Sequence, residues 1–134
     1  MSTTHPRFRI RIEGPPEILF DLVADMPHYG RWLPGSDAFG GTSQVNPYPV
    51  RLGTTYLDAG PAGQRPGSVT EFDRPRHIGF HHTMLLKRRR LTANIDVHIR
   101  CTFEPVERGT LVIRELDLTI EMRGLMKLAL PLVL

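Results

Sequence analysis

The feature that most constrains this chain is the alternation running from Leu91 to Glu104. Leu91, Ala93, Ile95, Val97, Ile99, Cys101 and Phe103 take every second position, and Thr92, Asn94, Asp96, His98, Arg100, Thr102 and Glu104 fill the others. A period of two cannot place one set of side chains on a single helical face, where the repeat is 3.6. The segment is therefore a long strand with one face buried and the other wet, the arrangement of antiparallel sheets.

The rest of the chain fits around such a sheet. Arg7 to Glu13 alternates as well, with Phe8, Ile10 and Ile12 on one face, and reads as a half-buried strand. Gly14-Pro15-Pro16 ends it, and Pro16 suits the first turn of a helix, where its missing N–H costs nothing. A helix is expected over residues 17–25, with Leu19, Leu22 and Val23 on one stripe and Glu17, Asp21 and Asp25 on another. Pro27 breaks it, and a second short helix through Tyr29 and Trp32 should end at Pro34-Gly35. Short strands are expected at residues 42–45, 54–58 and 68–72, separated by glycine- and proline-rich turns. Residues 73–76 form a turn and residues 78–86 the next strand. Residues 105–109 form a hairpin loop before a last strand over residues 110–120, and a final helix covers residues 122–134. Successive strands without intervening helices must pair antiparallel, so the class is α+β.

With 134 residues the chain has the length of one domain, residues 1–134, with residues 1–6 as a loose tail. The net charge of +3 is too small to imply nucleic acid as a partner. A lone cysteine, Cys101, excludes an internal disulfide and fits a reducing compartment. The polar N-terminus shows no signal peptide, and no apolar run reaches the ~20 residues of a membrane span. Cytoplasmic residence is the expectation.

Three segments carry a resemblance. Gly-Pro-Pro-Glu17-Ile-Leu-Phe20-Asp-Leu-Val-Ala-Asp25-Met-Pro-His-Tyr-Gly-Arg-Trp32-Leu-Pro-Gly35 resembles the early helix pair of the START-like (Bet v 1-like, SRPBCC) superfamily. Gly67-Ser-Val-Thr-Glu-Phe-Asp-Arg-Pro75-Arg-His-Ile-Gly-Phe80 resembles its mid-sheet strand-turn-strand, and Gly124-Leu-Met-Lys-Leu-Ala-Leu-Pro131-Leu is similar to the start of its final helix. The likeness spans residues 8–134 and is strongest to the bacterial group labelled polyketide cyclase/dehydrase and lipid transport. It implies a helix-grip fold, a curved seven-stranded antiparallel sheet with two short helices near the N-terminus and a C-terminal helix over it. Members bind lipids, sterols, hormones or aromatic polyketides in the cavity between, and a minority catalyse cyclisation or dehydration. Their last helix usually continues for several more charged turns, whereas this chain stops at Leu134 in an apolar run. A truncated helix, or one whose end packs on a second copy as a homodimer, is the corresponding expectation.

Few residues suggest chemistry. His81 and His82 are adjacent on a strand and point to opposite faces, while His77 and His81 share a face about 13 Å apart at ~3.3 Å per residue. Neither spacing lets one strand chelate a metal, and there is no cysteine cluster, so no metal site is expected. No motif supports a nucleophile, and Gly60-Pro61-Ala62-Gly63 lacks the spacing of a phosphate or dinucleotide loop, so no cofactor is implied. His82 shares parity with Ile78, Phe80 and Met84, which turns it inward. Arg114 shares parity with Val112, Leu116, Leu118 and Ile120 and would also point inward. Leu111 and Ile113 have the other parity, and a bulge near Arg114-Glu115 would turn Arg114 outward instead. Tyr56 and Trp32 can supply a polar handle and an aromatic wall. The candidate ligand-binding set is Trp32, Tyr56, Asp58, Phe80, His82, Ile95, Val97, Ile99, Arg114, Leu116 and Met126. His82 and Arg114 are the candidates for catalysis. The basic run Lys87, Arg88, Arg89 and Arg90 forms a hairpin tip, solvated or in weak contact with an anionic membrane.

Three functions remain open at this level. The chain carries a small hydrophobic ligand, or acts as a cyclase or dehydratase through His82, Arg114, Tyr56 and Asp58. In the third reading it is an interaction module whose cavity its own side chains fill.

Overall fold

A computed structural model describes residues 2–31, 42–60 and 63–124. The strands are β1 (Ser2–Thr4), β2 (Arg7–Ile12), β3 (Thr42–Asn46), β4 (Thr55–Gly60), β5 (Gly63–Asp73), β6 (His77–Arg88), β7 (Leu91–Val106) and β8 (Gly109–Gly124). One helix, α1 (Pro16–Ala24), follows β2, and a 3-10 segment over Met26–Arg31 follows α1. The strands form one antiparallel sheet in the order β1-β8-β7-β6-β5-β4-β3, with β2 also on the outer edge of β8.

Eight strands thus occupy seven lanes, because β1 and β2 share one. The expected loose tail is instead paired, Ser2 opposite Ile120 and Thr4 opposite Leu118. The edge of β8 beyond β2 would otherwise leave a row of open N–H and C=O groups. Pro6 interrupts the lane, having no N–H to give, but its carbonyl accepts from the Leu116 amide at 3.0 Å.

Other expected bounds shift for similar reasons. The second short helix is a 3-10 segment, broken at His28 (φ −111°, ψ 18°); Trp32 and Pro34 lie outside the described residues. Residues 63–67, expected in a turn, belong to β5, paired with β4 from Gly60↔Gly63 to Thr55↔Ser68. Pro105 and Val106 extend β7, leaving Glu107 and Arg108 as the turn. Residues 122–124, expected to open the final helix, extend β8, and the remainder of that helix lies outside the described residues. Gly109 closes the β7–β8 turn at φ +147°, where a Cβ would stand 2.4 Å from the Ile12 carbonyl oxygen. Only glycine fits there.

The inner face is the one on which α1 packs, against β6 and β7. Phe20 is its anchor, with no exposed surface, set edge-on to Phe72 (5.2 Å) and Phe103 (5.7 Å). The buried stripe of α1 is Phe20 and Ala24 flanked by Leu19 and Val23, while Leu22, expected in it, is exposed. A bidentate pair from Arg74 to Asp21 (2.8 and 2.9 Å) ties the outer side of α1 to the β5–β6 turn and holds the Asp21 carboxyl below its usual range. The core continues through Met26, Val50, Tyr56, Val69, Ile78, Phe80 and Cys101. β2 does not share in it: Phe8 and Ile10 are 57% and 60% exposed, contrary to the half-buried strand expected. Their parity is inner, Phe8 opposite Arg114 and Ile10 opposite Val112. However, α1 covers the β6–β7 lanes and leaves that edge open among the described residues.

Replacing Phe20 by alanine should cost about 3–5 kcal/mol, because three rings lose their shared contacts and α1 its anchor. Urea unfolding followed by circular dichroism measures it; a loss below about 1 kcal/mol would mean that α1 is not held by this cluster.

Candidate ligand-binding face

The register of β4, β5, β6 and β7 places Tyr56, Arg65, Gly67, His82 and Val97 in one inner-facing band. Tyr56 pairs with Gly67, Gly67 with His82, and His82 with Val97. Tyr56 is 4% exposed and lies edge-on to Phe80, itself buried, at 6.2 Å. Its ring covers Gly67 so closely that a Cβ there would lie 2.5 Å from Cζ. Burial and the Asp58 charge push the phenol up, so it stays a neutral hydrogen-bonding group.

One pleat further along β4, Asp58 faces Arg65 of β5. The Asp58 carboxylate accepts from the Thr42 hydroxyl at 2.6 Å. Burial raises its pKa, while the Thr42 bond and the Arg65 charge act the other way. Arg65 donates to the Ala59 carbonyl at 3.3 Å and touches the Met84 sulfur at 3.7 Å. Sequence reasoning missed Arg65 because it sits among glycines and prolines expected to be a turn. The signal was the Gly60–Gly63 hairpin, which folds residue 65 back onto residue 58.

His82 is 8% exposed, and its Nδ1 is buried with no partner in the protein among the described residues. Burial first, then the charges of Arg65, His81 and Arg114, lower its pKa to about 4, only partly offset by Asp96. The ring is therefore neutral at physiological pH. A buried nitrogen without a partner costs on the order of 1–3 kcal/mol.

The remaining wall is apolar. Val97 is buried, and Ile95, Ile99, Leu116, Leu118 and Ile120 are half-buried on the same side. The β7–β8 pairing runs without a shift through Cys101↔Arg114. Arg114 therefore has inner parity with no bulge, yet its side chain is exposed rather than enclosed. It stands near enough to His82 to disfavour the imidazolium, and at Cys101 it opposes the burial that pushes the thiol up. Tyr56, Asp58, Phe80, His82, Ile95, Val97, Ile99, Arg114 and Leu116 thus share the inner face, while Trp32 and Met126 lie outside the described residues. Among the described residues no helix is long and apolar enough to cross a membrane. At the tip of the β6–β7 hairpin, Arg89 and Arg90 are exposed.

A curved, antiparallel sheet with one helix packed on it, as seen among the described residues, is consistent with a helix-grip fold. The sequence matches the family described as polyketide cyclase/dehydrase and lipid transport over residues 4–133, and the chain belongs to it. No curated protein matches it. Among solved structures, it is similar to ginseng major latex-like protein 151 from Panax ginseng, at 12% identity and TM-score 0.66. That likeness covers 88% of this chain and 80% of the other. The Mll3558 protein from Rhizobium loti is similar at 17% identity and TM-score 0.63, over 90% of this chain and 83% of the other. DynU16, a protein of the dynemicin biosynthetic locus, is similar at 13% identity and TM-score 0.59. There 84% of this chain is covered, and the chain spans only 36% of the other. At such identities the likeness shows the fold.

Two substitutions test this geometry. Gly67→Ala should destabilise by about 1–3 kcal/mol by driving a methyl into the buried Tyr56 ring. In a Tyr56→Ala background most of that cost should vanish, and equal costs in both backgrounds would show that the ring does not rest on Gly67. His82→Gln tests the buried imidazole. Because the folded pKa lies below the ordinary 6.5, the stabilisation is complete above that value and is lost as pH falls from about 6.5 toward 4. The wild type should lose up to about 3 kcal/mol more than His82→Gln over that window, from urea midpoints at each pH. Parallel losses would mean a solvated ring.

Proposed function

We propose that the protein binds a small, largely apolar molecule carrying one hydrogen-bonding group. The apolar body rests on Ile95, Val97, Ile99 and Leu116, and the polar group meets His82, with Tyr56 and the Asp58–Arg65 pair beside it. Membership of a polyketide cyclase/dehydrase and lipid transport family supports this reading. The observation that carries it is the buried Nδ1 of His82, without a partner among the described residues, on an otherwise apolar wall. Ligand sites have this make-up, mostly apolar with few placed polar groups.

A proton-transferring variant of the reading, cyclisation or dehydration, draws on Asp58, whose carboxyl burial raises above its usual range. His82, with a pKa near 4, is too weak a base at neutral pH to lead such a step.

Fluorescence titration with naphthalene and 2-naphthol separates the polar contact from the apolar one. The wild type should prefer 2-naphthol by up to about tenfold, the worth of one hydrogen bond. His82→Leu should bind both alike. A preference that survives in His82→Leu, or no binding of either probe together with a bare mass in native mass spectrometry, would overturn the proposal.

A further inference from the structure

The opposite face of the same strands carries a second constellation. On β6 and β7, His81 stands directly across from His98, their rings stacked 4.2 Å apart at 12°. Asp96 lies two residues before His98 on the same strand and face, and diagonal to His81. Both imidazoles turn Nε2 to this one carboxylate, His81 to Oδ1 at 2.5 Å and His98 to Oδ2 at 3.2 Å. One ligand atom from each of the three lies within 4.8 Å of the others. Considered strand by strand the histidines cannot chelate; the antiparallel register brings them together.

We propose that His81, Asp96 and His98 form a site for a divalent transition-metal ion of the Zn²⁺ class. Two imidazoles and one carboxylate suit such a borderline ion, whereas Mg²⁺ and Ca²⁺ require mainly oxygen ligands. The donors sit on two long paired strands, so little order is lost on binding. The side chains are 34%, 42% and 52% exposed, which leaves a path for the ion and room for water to complete its coordination. Metal binding would shift each ring proton from Nε2 to Nδ1, freeing both Nε2 lone pairs for the ion. Asp117, across from His98 and bonded to His5 at 2.5 Å, adds negative charge at one flank. At the other flank Glu71 is engaged by Arg100 (3.1 Å) and His77 (3.4 Å), which sets His77 apart from the triad.

The site is independent of the ligand-binding reading, since His82 points to the inner face. Calorimetry with Zn²⁺ on chelator-dialysed protein, with the Co²⁺ visible spectrum as a second readout, tests it. One equivalent should bind without competition from Mg²⁺. Asp96→Asn, His81→Ala and His98→Ala should each weaken binding at least ~10-fold, whereas His77→Ala and His82→Leu leave it unchanged. Zn²⁺ should also raise the Tm of the wild type and not of the triad variants. Binding that all three triad substitutions leave intact, or that His77→Ala reduces equally, would overturn the assignment, as would failure of Zn²⁺ to bind the wild type.

Discussion

Everything in this molecule depends on the unbroken pairing of β7 with β8, from Val106↔Gly109 at the turn to Leu91↔Gly124 at the far end. A slip of one residue would exchange the two faces along the full length of both strands. The turn pins the register: Gly109 stands against the Ile12 carbonyl, and the buried Thr110 hydroxyl donates to the Gly14 carbonyl at 2.8 Å. With the register held, β6 and then β5 inherit their faces by pairing, and adjacent residues acquire opposite fates.

His81 and His82 show this most clearly. They are chemically identical neighbours, yet one imidazole is held neutral by burial on the inner wall and the other is bonded to Asp96 among polar groups. The two faces therefore present different chemistry from the same strands. One offers an apolar wall around the buried His82 imidazole, the other a row of carboxylates and imidazoles open to water. Inner-face burial is uneven as well. The end under α1 is filled by Phe20, Phe72 and Phe103, while the lanes of Ile95, Leu118 and Ile120 stay half-open. The proposed ligand would meet the second region, whose apolar surface is only half-covered among the described residues.

Much of this was legible in the residues themselves. Alternation at Leu91 to Glu104 announces a long strand with one buried face, and the parity of Ile78, Phe80 and His82 turns that histidine inward, as the pairing bears out. The tail at Ser2–Thr4 was not legible, because its three polar residues have no pattern and pair only because β8 offers an edge. Arg65 was hidden by its glycine and proline neighbours, and Phe20 entered only through resemblance, since the stripe of α1 that is buried depends on where the helix docks. The exposure of Phe8 and Ile10 runs against their alternation for the same reason: period identifies a strand's apolar face, and a covering element decides whether that face is buried.

The sequence by itself thus determined the periods, and through them most of the strands, the helix that follows Pro16 and the antiparallel class, while the second short helix it called for is a 3-10 segment. These are properties of neighbouring residues along one chain. Only the tertiary structure decided which groups meet: Asp58 with Arg65, Tyr56 over Gly67, and His81 with Asp96 and His98. Such meetings depend on register between segments distant in sequence, and register comes from turn geometry and backbone hydrogen bonds, to which no single strand's pattern is sensitive.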